Sequence, residues 1–208
     1  MVGVDLFVAT EDALSEAVAE RLIEEENQGM SIAVRLGRRG NTYLREKLPS
    51  FVSIAKTSPL LLLTDLDREI CPATLLHGWR GKKIFPSGLL FRVVVREIEA
   101  WLLADRKGFS EFSGVPVHRI PEHPESLDDP KATLLNLVRT YGKRAVREAL
   151  LPGRNSTARI GLMYNQALCG FVRESWSPAK ASEGADSLRR TIGRIHELRL
   201  AGQSRSSV

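Results

Sequence analysis

The sequence has little cysteine, few aromatic residues and no long apolar run, and each shortage removes a class of protein. Two cysteines, Cys71 and Cys169, in 208 residues supply neither a disulfide framework nor the paired spacing of a zinc site. The four histidines, His77, His118, His123 and His196, have no His-x-x-x-His or Cys-x-x-Cys company, which argues against transition-metal sites. The longest apolar stretches, Leu60 to Leu63 and Leu89 to Val95, are too short or too interrupted to cross a bilayer. The first residues lack a basic region followed by an apolar run and a small-residue cleavage site. No signal peptide or membrane is therefore expected, and a reducing cytoplasm fits best. Neither a nucleophile-elbow serine nor a Walker loop is present, since Gly78-Trp79-Arg80-Gly81-Lys82 has the wrong spacing.

What is present is material for a core, with 43% hydrophobic and 26% charged residues, as in ordinary globular domains. The net charge is +5, unevenly spread. Residues 1–130 carry 16 Lys and Arg against 20 Asp and Glu, a balance of −4, and residues 131–208 carry 14 against 5, a balance of +9. A carboxylate-rich front and a basic back suit a metal site beside a polyanion groove. The alternative is a helical tail with a solvated arginine face.

Val4 to Ala9 reads as a buried strand, followed by a helix in which Leu14, Val18 and Leu22 recur every fourth residue. Ser31 to Leu36 is a second strand, and Gly37-Arg38-Arg39-Gly40 a basic turn. Asn41 is placed to cap a helix through Leu44, Leu48 and Phe51. Leu60 to Thr64 is the clearest buried strand. Pro72 opens a short helix, Leu89 to Val95 forms a fourth strand, and Arg96 to Asp105 has helical composition. Alternating strands and helices imply an α/β fold with a mostly parallel sheet flanked by helices. The proline-rich stretch 108–130 reads as a loop or insertion. Helical patterns at Ala132–Tyr141, Lys143–Leu150, Tyr164–Trp176 and Ser187–Leu200 make a helical C-terminal elaboration. The expected organisation is an α/β domain over 1–107, the loop 108–130, a helical region 131–201 and a disordered tail 202–208.

Ligands of parallel sheets bind beyond the carboxyl ends of the strands. Glu11 lies two residues past the first strand, and Asp65 and Asp67 end the most buried one. If those strands are neighbours, three carboxylates meet, and a cation makes that tolerable. In extended chain Leu66 would point to the core and both aspartates into the cleft. Mg²⁺, or Mn²⁺, is the expected metal.

Thr10-Glu11-Asp12 and Leu63-Thr64-Asp65-Leu66-Asp67 resemble the two motifs of the Toprim domain. That fold is shared by topoisomerases, primases and overcoming-lysogenization-defect nucleases. Glu11-Asp12-Ala13-Leu14-Ser15-Glu16, the run Arg96 to Asp105 and Tyr164-Asn165 resemble a bacterial Toprim-like group related to DUF4276, over most of the chain. The resemblance implies metal ligation by Glu11, Asp65 and Asp67. It also implies phosphodiester chemistry on DNA or RNA, with a role in defence and a partner protein within its compass. Asp12 stands where many Toprim domains have glycine, so Glu11 and Asp12 both remain candidates for the first ligand.

Glu97 and Glu99 fall among apolar residues at helical spacing and need a partner, either a metal or an arginine such as Arg92 or Arg96. Glu97 is favoured as a fourth catalytic carboxylate. Glu16 shares a face with Glu20 and Glu24 and reads as solvated helix surface. Arg38, Arg39, Lys82 and Lys83 in loops, with Arg189, Arg190 and Arg194 in the tail, are candidate phosphate contacts. Lys131 is a candidate charge stabiliser. Tyr164 and Trp176 read as packing residues. A dehalogenase-type phosphatase reading of Asp65-x-Asp67 fails because Glu69 stands where that family has Thr or Val. Two functions are carried forward: a Mg²⁺-dependent nuclease-like protein, and a non-catalytic nucleic-acid-binding module with a degenerate site. Oligomeric state is open.

Overall fold

The computed structural model describes residues 4–26, 29–153 and 156–205, the last four as backbone. It is an α/β fold built on a four-stranded, all-parallel sheet in the order β2-β1-β3-β4. The strands are β1 (Val4–Thr10), β2 (Met30–Gly37), β3 (Leu60–Asp65) and β4 (Leu89–Val94). The apolar run Leu60 to Leu63 is wholly buried because β3 has a paired neighbour on each side. β2 takes an edge and is largely exposed, which matches its alternating composition.

The chain divides into two compact units. One holds the residues up to Val95 and again from Arg189, and the other runs from Arg96 to Leu188. In the first unit, α1 (Ala13–Glu25) and α2 (Gly40–Ile54) follow β1 and β2. β1 to β2 steps one way across the sheet and β2 to β3 steps back past β1. Right-handed crossovers in opposite directions put their helices on opposite faces. Ala9, Leu60, Leu62 and Leu89 pack with Leu44, Leu48 and Phe51 of α2. Leu6, Val8, Leu61 and Leu63 alternate with them and point to the other face, where α1 buries Leu14, Val18 and Leu22. α3 (Pro72–Arg80) lays Leu75 against Leu66 and Val93.

The second unit is helical. α4 (Ile98–Ala104) is buried along its whole length, so its charged member Glu99 is in the core. The unit also holds α5 (Arg106–Ser113), α6 (Pro130–Tyr141), α7 (Arg144–Leu150), α8 (Tyr164–Glu174) and α9 (Pro178–Gly184). The Trp101 indole donates to Ser187 Oγ at 2.8 Å, and Trp176 Nε1 donates to the Trp101 carbonyl at 3.1 Å. Asp105 Oδ1 accepts from Gly108 N and Oδ2 from Ser177 N, a structural use of that buried acid. α10 (Asp186–Arg205) starts in this unit and continues into the first.

Several boundaries differ from the sequence reading. The proline-rich stretch begins inside α5 and continues through two single 3₁₀ turns at Val117–Arg119 and Pro124–Ser126. Asp105 caps α5, which is why helix persists where periodicity is poor. α10 runs to Arg205, past the expected start of a disordered tail at 202. Residues 206–208 of that tail lie outside the described residues. Among the described residues no helix is long and apolar enough to cross a membrane.

Candidate functional site

β1 and β3 are parallel neighbours, Thr10 lying opposite Leu63. Strand order reverses direction between them, so the crevice beyond their carboxyl ends is the topological switch point where open α/β sheets bind ligands. Glu11 stands there. Its Oε1 accepts from the Thr64 hydroxyl at 2.5 Å, the Asp65 backbone N–H at 2.9 Å and the Asn41 amide at 3.2 Å. Asn41 also donates to Thr64 Oγ1 at 3.1 Å. The expected capping role of Asn41 is therefore corrected. α2 starts at Gly40 with no side-chain cap, and the Asn41 amide is spent on the Glu11–Thr64 pair.

The turn after β2 docks on the same edge. Gly37 (φ 136°), Arg38 (φ 60°) and Gly40 (φ 79°) have positive φ, and a Cβ at Gly37 would collide with the Thr10 carbonyl. The freed backbone donors are used: Arg38 N–H bonds the Thr10 carbonyl and Gly40 N–H the Glu11 carbonyl, each at 2.9 Å. Asp12 caps α1, its Oδ1 accepting from Ser15 N at 2.8 Å. Of the two adjacent acids, Asp12 is thus committed to the helix and Glu11 faces the end of β3.

Burial pushes the Glu11 carboxyl above its ordinary pKa. The three hydrogen bonds, Thr64 first, pull it back, and the Asp67 charge adds to the rise. Asp65 is half-buried at the strand end. Asp67 is exposed with φ 51°, so the extended alternation expected through Asp67 breaks after Leu66, which is 2% exposed. Left-handed backbone costs a non-glycine residue about 1 kcal/mol, least for Asp and Asn.

Among the described residues no group of three or more Asp, Glu, His or Cys side chains is arranged to hold a metal ion. The three-carboxylate cage expected from Glu11, Asp65 and Asp67 is not formed. The residues still fit Mg²⁺, which one or two carboxylates hold while water and substrate phosphate complete the shell. All three hydrogen bonds to Glu11 go to Oε1, leaving Oε2 as the oxygen for a cation.

In the second unit, Glu97 stands before α4 and accepts from Lys131 N–H through Oε2 at 3.0 Å. Burial raises its pKa first, opposed by that bond and reinforced by Glu99 and Asp129. Glu99 Oε1 accepts from Tyr164 O–H at 2.7 Å and pairs with Lys131 Nζ at 3.1 Å. Its Oε2 is buried and meets no donor among the described residues. The partner sought for Glu99 among the arginines is thus a lysine and a tyrosine. Lys131 is held by Glu99 and sits over the Tyr164 ring.

The basic residues have mixed fates. Arg38 engages Glu16, with Nε at 3.0 Å and a second bond through Nη2. Glu16, expected on a solvated face, is 2% exposed. Arg35 also approaches it, at 3.6 Å, and pairs with Glu20 at 2.6 Å. Arg39 lies over the Tyr43 ring. Lys82 and Lys83 are exposed after α3, as are Arg189, Arg190 and Arg194 on α10, where Arg194 pairs with Glu197.

Sequence reasoning missed Thr64 and Asn41, the two side chains that hold Glu11. Thr64 lies inside the quoted motif, and the signal was a polar residue at the end of an all-leucine strand. No family model, curated protein or solved structure matches this chain.

Proposed function

We propose that the chain is a Mg²⁺-dependent, Toprim-like protein that processes phosphodiester bonds in DNA or RNA, with defence the role its motif resemblance suggests. One observation carries this reading. Glu11 and the Asp65–Asp67 pair stand at the carboxyl ends of adjacent parallel strands, joined by the Asp65 N–H bond to Glu11 Oε1. Thr64 and Asn41 fix the Glu11 carboxylate, so it meets a cation without reorganising. When bound, Mg²⁺ supplies charge neutralisation and an activated water at a phosphodiester. Glu11, with Asp65 and Asp67 beside it, would hold the cation, and the basic C-terminal residues would attract the polyanion.

A second reading, a binding module with a degenerate site, is favoured by the lack of a three-ligand group among the described residues. The two separate in one assay. Purified chain is incubated with plasmid, single-stranded DNA and RNA, with Mg²⁺ or Mn²⁺ and with chelator. Metal-dependent cleavage that Asp65→Asn abolishes, with binding retained, supports the nuclease. Binding by the parent without cleavage of any substrate supports the module.

A further inference from the structure

Arg92 is the one charged residue within β4. It shares a sheet face with Leu90 and Val94 and is half-buried. Its Nε donates to Thr191 Oγ1 at 3.2 Å, and Thr191 is fully buried on α10. Arg190 and Arg194 flank Thr191, four residues apart and so on one side of the helix. Among the described residues no carboxylate pairs with Arg92. Burial, then the charges of Arg194 and Arg190, hold its pKa below the ordinary arginine value. Arg194 is held by Glu197, and Arg190 is likewise engaged.

A guanidinium set on a buried hydroxyl and within range of two further arginine charges is unfavourable in itself. A half-buried charge loses hydration and gains only a neutral acceptor, and two like charges add to the cost. An anion reverses each of these effects. The guanidinium fork matches phosphate oxygens two at a time and keeps its charge whatever the surroundings.

We propose that Arg92, Arg190 and Arg194 form a binding site for a phosphate group, with Arg92 as its floor, steadied by Thr191, and the α10 arginines as its rim. The site deepens the proposed function and rests on that reading only for the phosphate's source, a nucleic-acid backbone rather than a free ion.

The test uses the full chain and two probes. In thermal unfolding, inorganic phosphate is titrated against sodium chloride at matched ionic strength. The parent's Tm should rise by roughly 5–10 °C at about a hundredfold excess of phosphate over Kd. Arg92→Met should match or exceed the parent's Tm without phosphate and lose the phosphate-specific rise. Should Arg92→Met fail to fold, the exposed pair Arg190→Gln/Arg194→Gln should fold and lose the rise instead. The second probe is a short fluorescent oligonucleotide, read by anisotropy. Arg92→Met should weaken binding about tenfold or more and lower the salt slope by about one.

No rise in the parent beyond chloride overturns the site, as does an unchanged rise in the variants. Lower Tm in both Arg92→Met and Thr191→Val with the rise intact makes Arg92 a strut between strand and helix, and also overturns it. A phosphate-specific rise without oligonucleotide binding upholds the site for a free phosphate and sinks the nucleic-acid reading alone.

Discussion

Replacing Thr64 by valine keeps the shape of a residue that is 1% exposed and removes the hydroxyl that donates to Glu11 Oε1 at 2.5 Å. A hydrogen bond to a charged acceptor contributes about 1.5–3 kcal/mol. Glu11 is only half-buried, so water screens the bond and the low end applies, about 1.5 kcal/mol near neutral pH. In a chain of this length that lowers Tm by roughly 3–6 °C. The loss should depend on pH. Burial raises the Glu11 pKa in the folded state, and Thr64 is the largest influence opposing it. A raised carboxyl pKa contributes stability that is present below the unfolded pKa and lost as pH rises through the folded one. Valine pushes the folded pKa higher still, so the variant loses more than the parent as pH rises through that window. Once Glu11 is protonated, the missing bond is a neutral one, worth about 0.5–1.5 kcal/mol. Urea unfolding followed by circular dichroism at about pH 7.5 and about pH 4 measures both losses. In a Glu11→Gln background the Thr64→Val penalty should shrink towards the neutral value. Equal stability of parent and variant at neutral pH, or a penalty that grows on acidification, would show that Thr64 does not hold a charged Glu11.

Glu16→Ala should cost about 1–2 kcal/mol in urea unfolding, because Glu16 is buried yet the arginines it leaves are half-exposed and rehydrate; a solvated surface residue would cost under about 0.5 kcal/mol. Glu125 accepts from the N–H groups of Asp186 and Ser187 and from the Ser187 hydroxyl, so it caps α10 from a distant loop. Glu125→Ala should lower stability by about 1–2 kcal/mol and speed hydrogen exchange at those two amides. Neutralising Arg189, Arg190 and Arg194 together should flatten the salt dependence of nucleic-acid binding by up to about three in log–log slope. Asp65→Asn should leave that slope unchanged, and an unaltered slope in the arginine variant makes the basic helix a solvated surface only.

The sequence by itself determined the four strands, most of the helices and the α/β class. Strands such as Leu60–Thr64 and helices such as α1 are written in local apolar periodicity, which needs no knowledge of distant residues. The position of Glu11 and Asp65 at strand ends was legible for the same reason. Sequence left open whether those strands were neighbours, and the order β2-β1-β3-β4 decided it. Glu16 shows where local reading fails. By helical spacing it belongs with Glu20 and Glu24, yet Arg38, turned by the positive φ of Gly37, Arg38 and Gly40, covers it and buries its charge. Asn41 looked like a cap because its type suits one, but the carboxyl ends of β1 and β3 lay close enough to claim its amide. The cluster of Arg92 with Arg190 and Arg194 spans about half the chain, and no window along the sequence contains it. Short-range patterns set each element's form because hydrogen bonding and burial repeat within a few residues. Only packing decides which charges meet, because an ionic or polar partner can come from any part of the chain that the fold brings near.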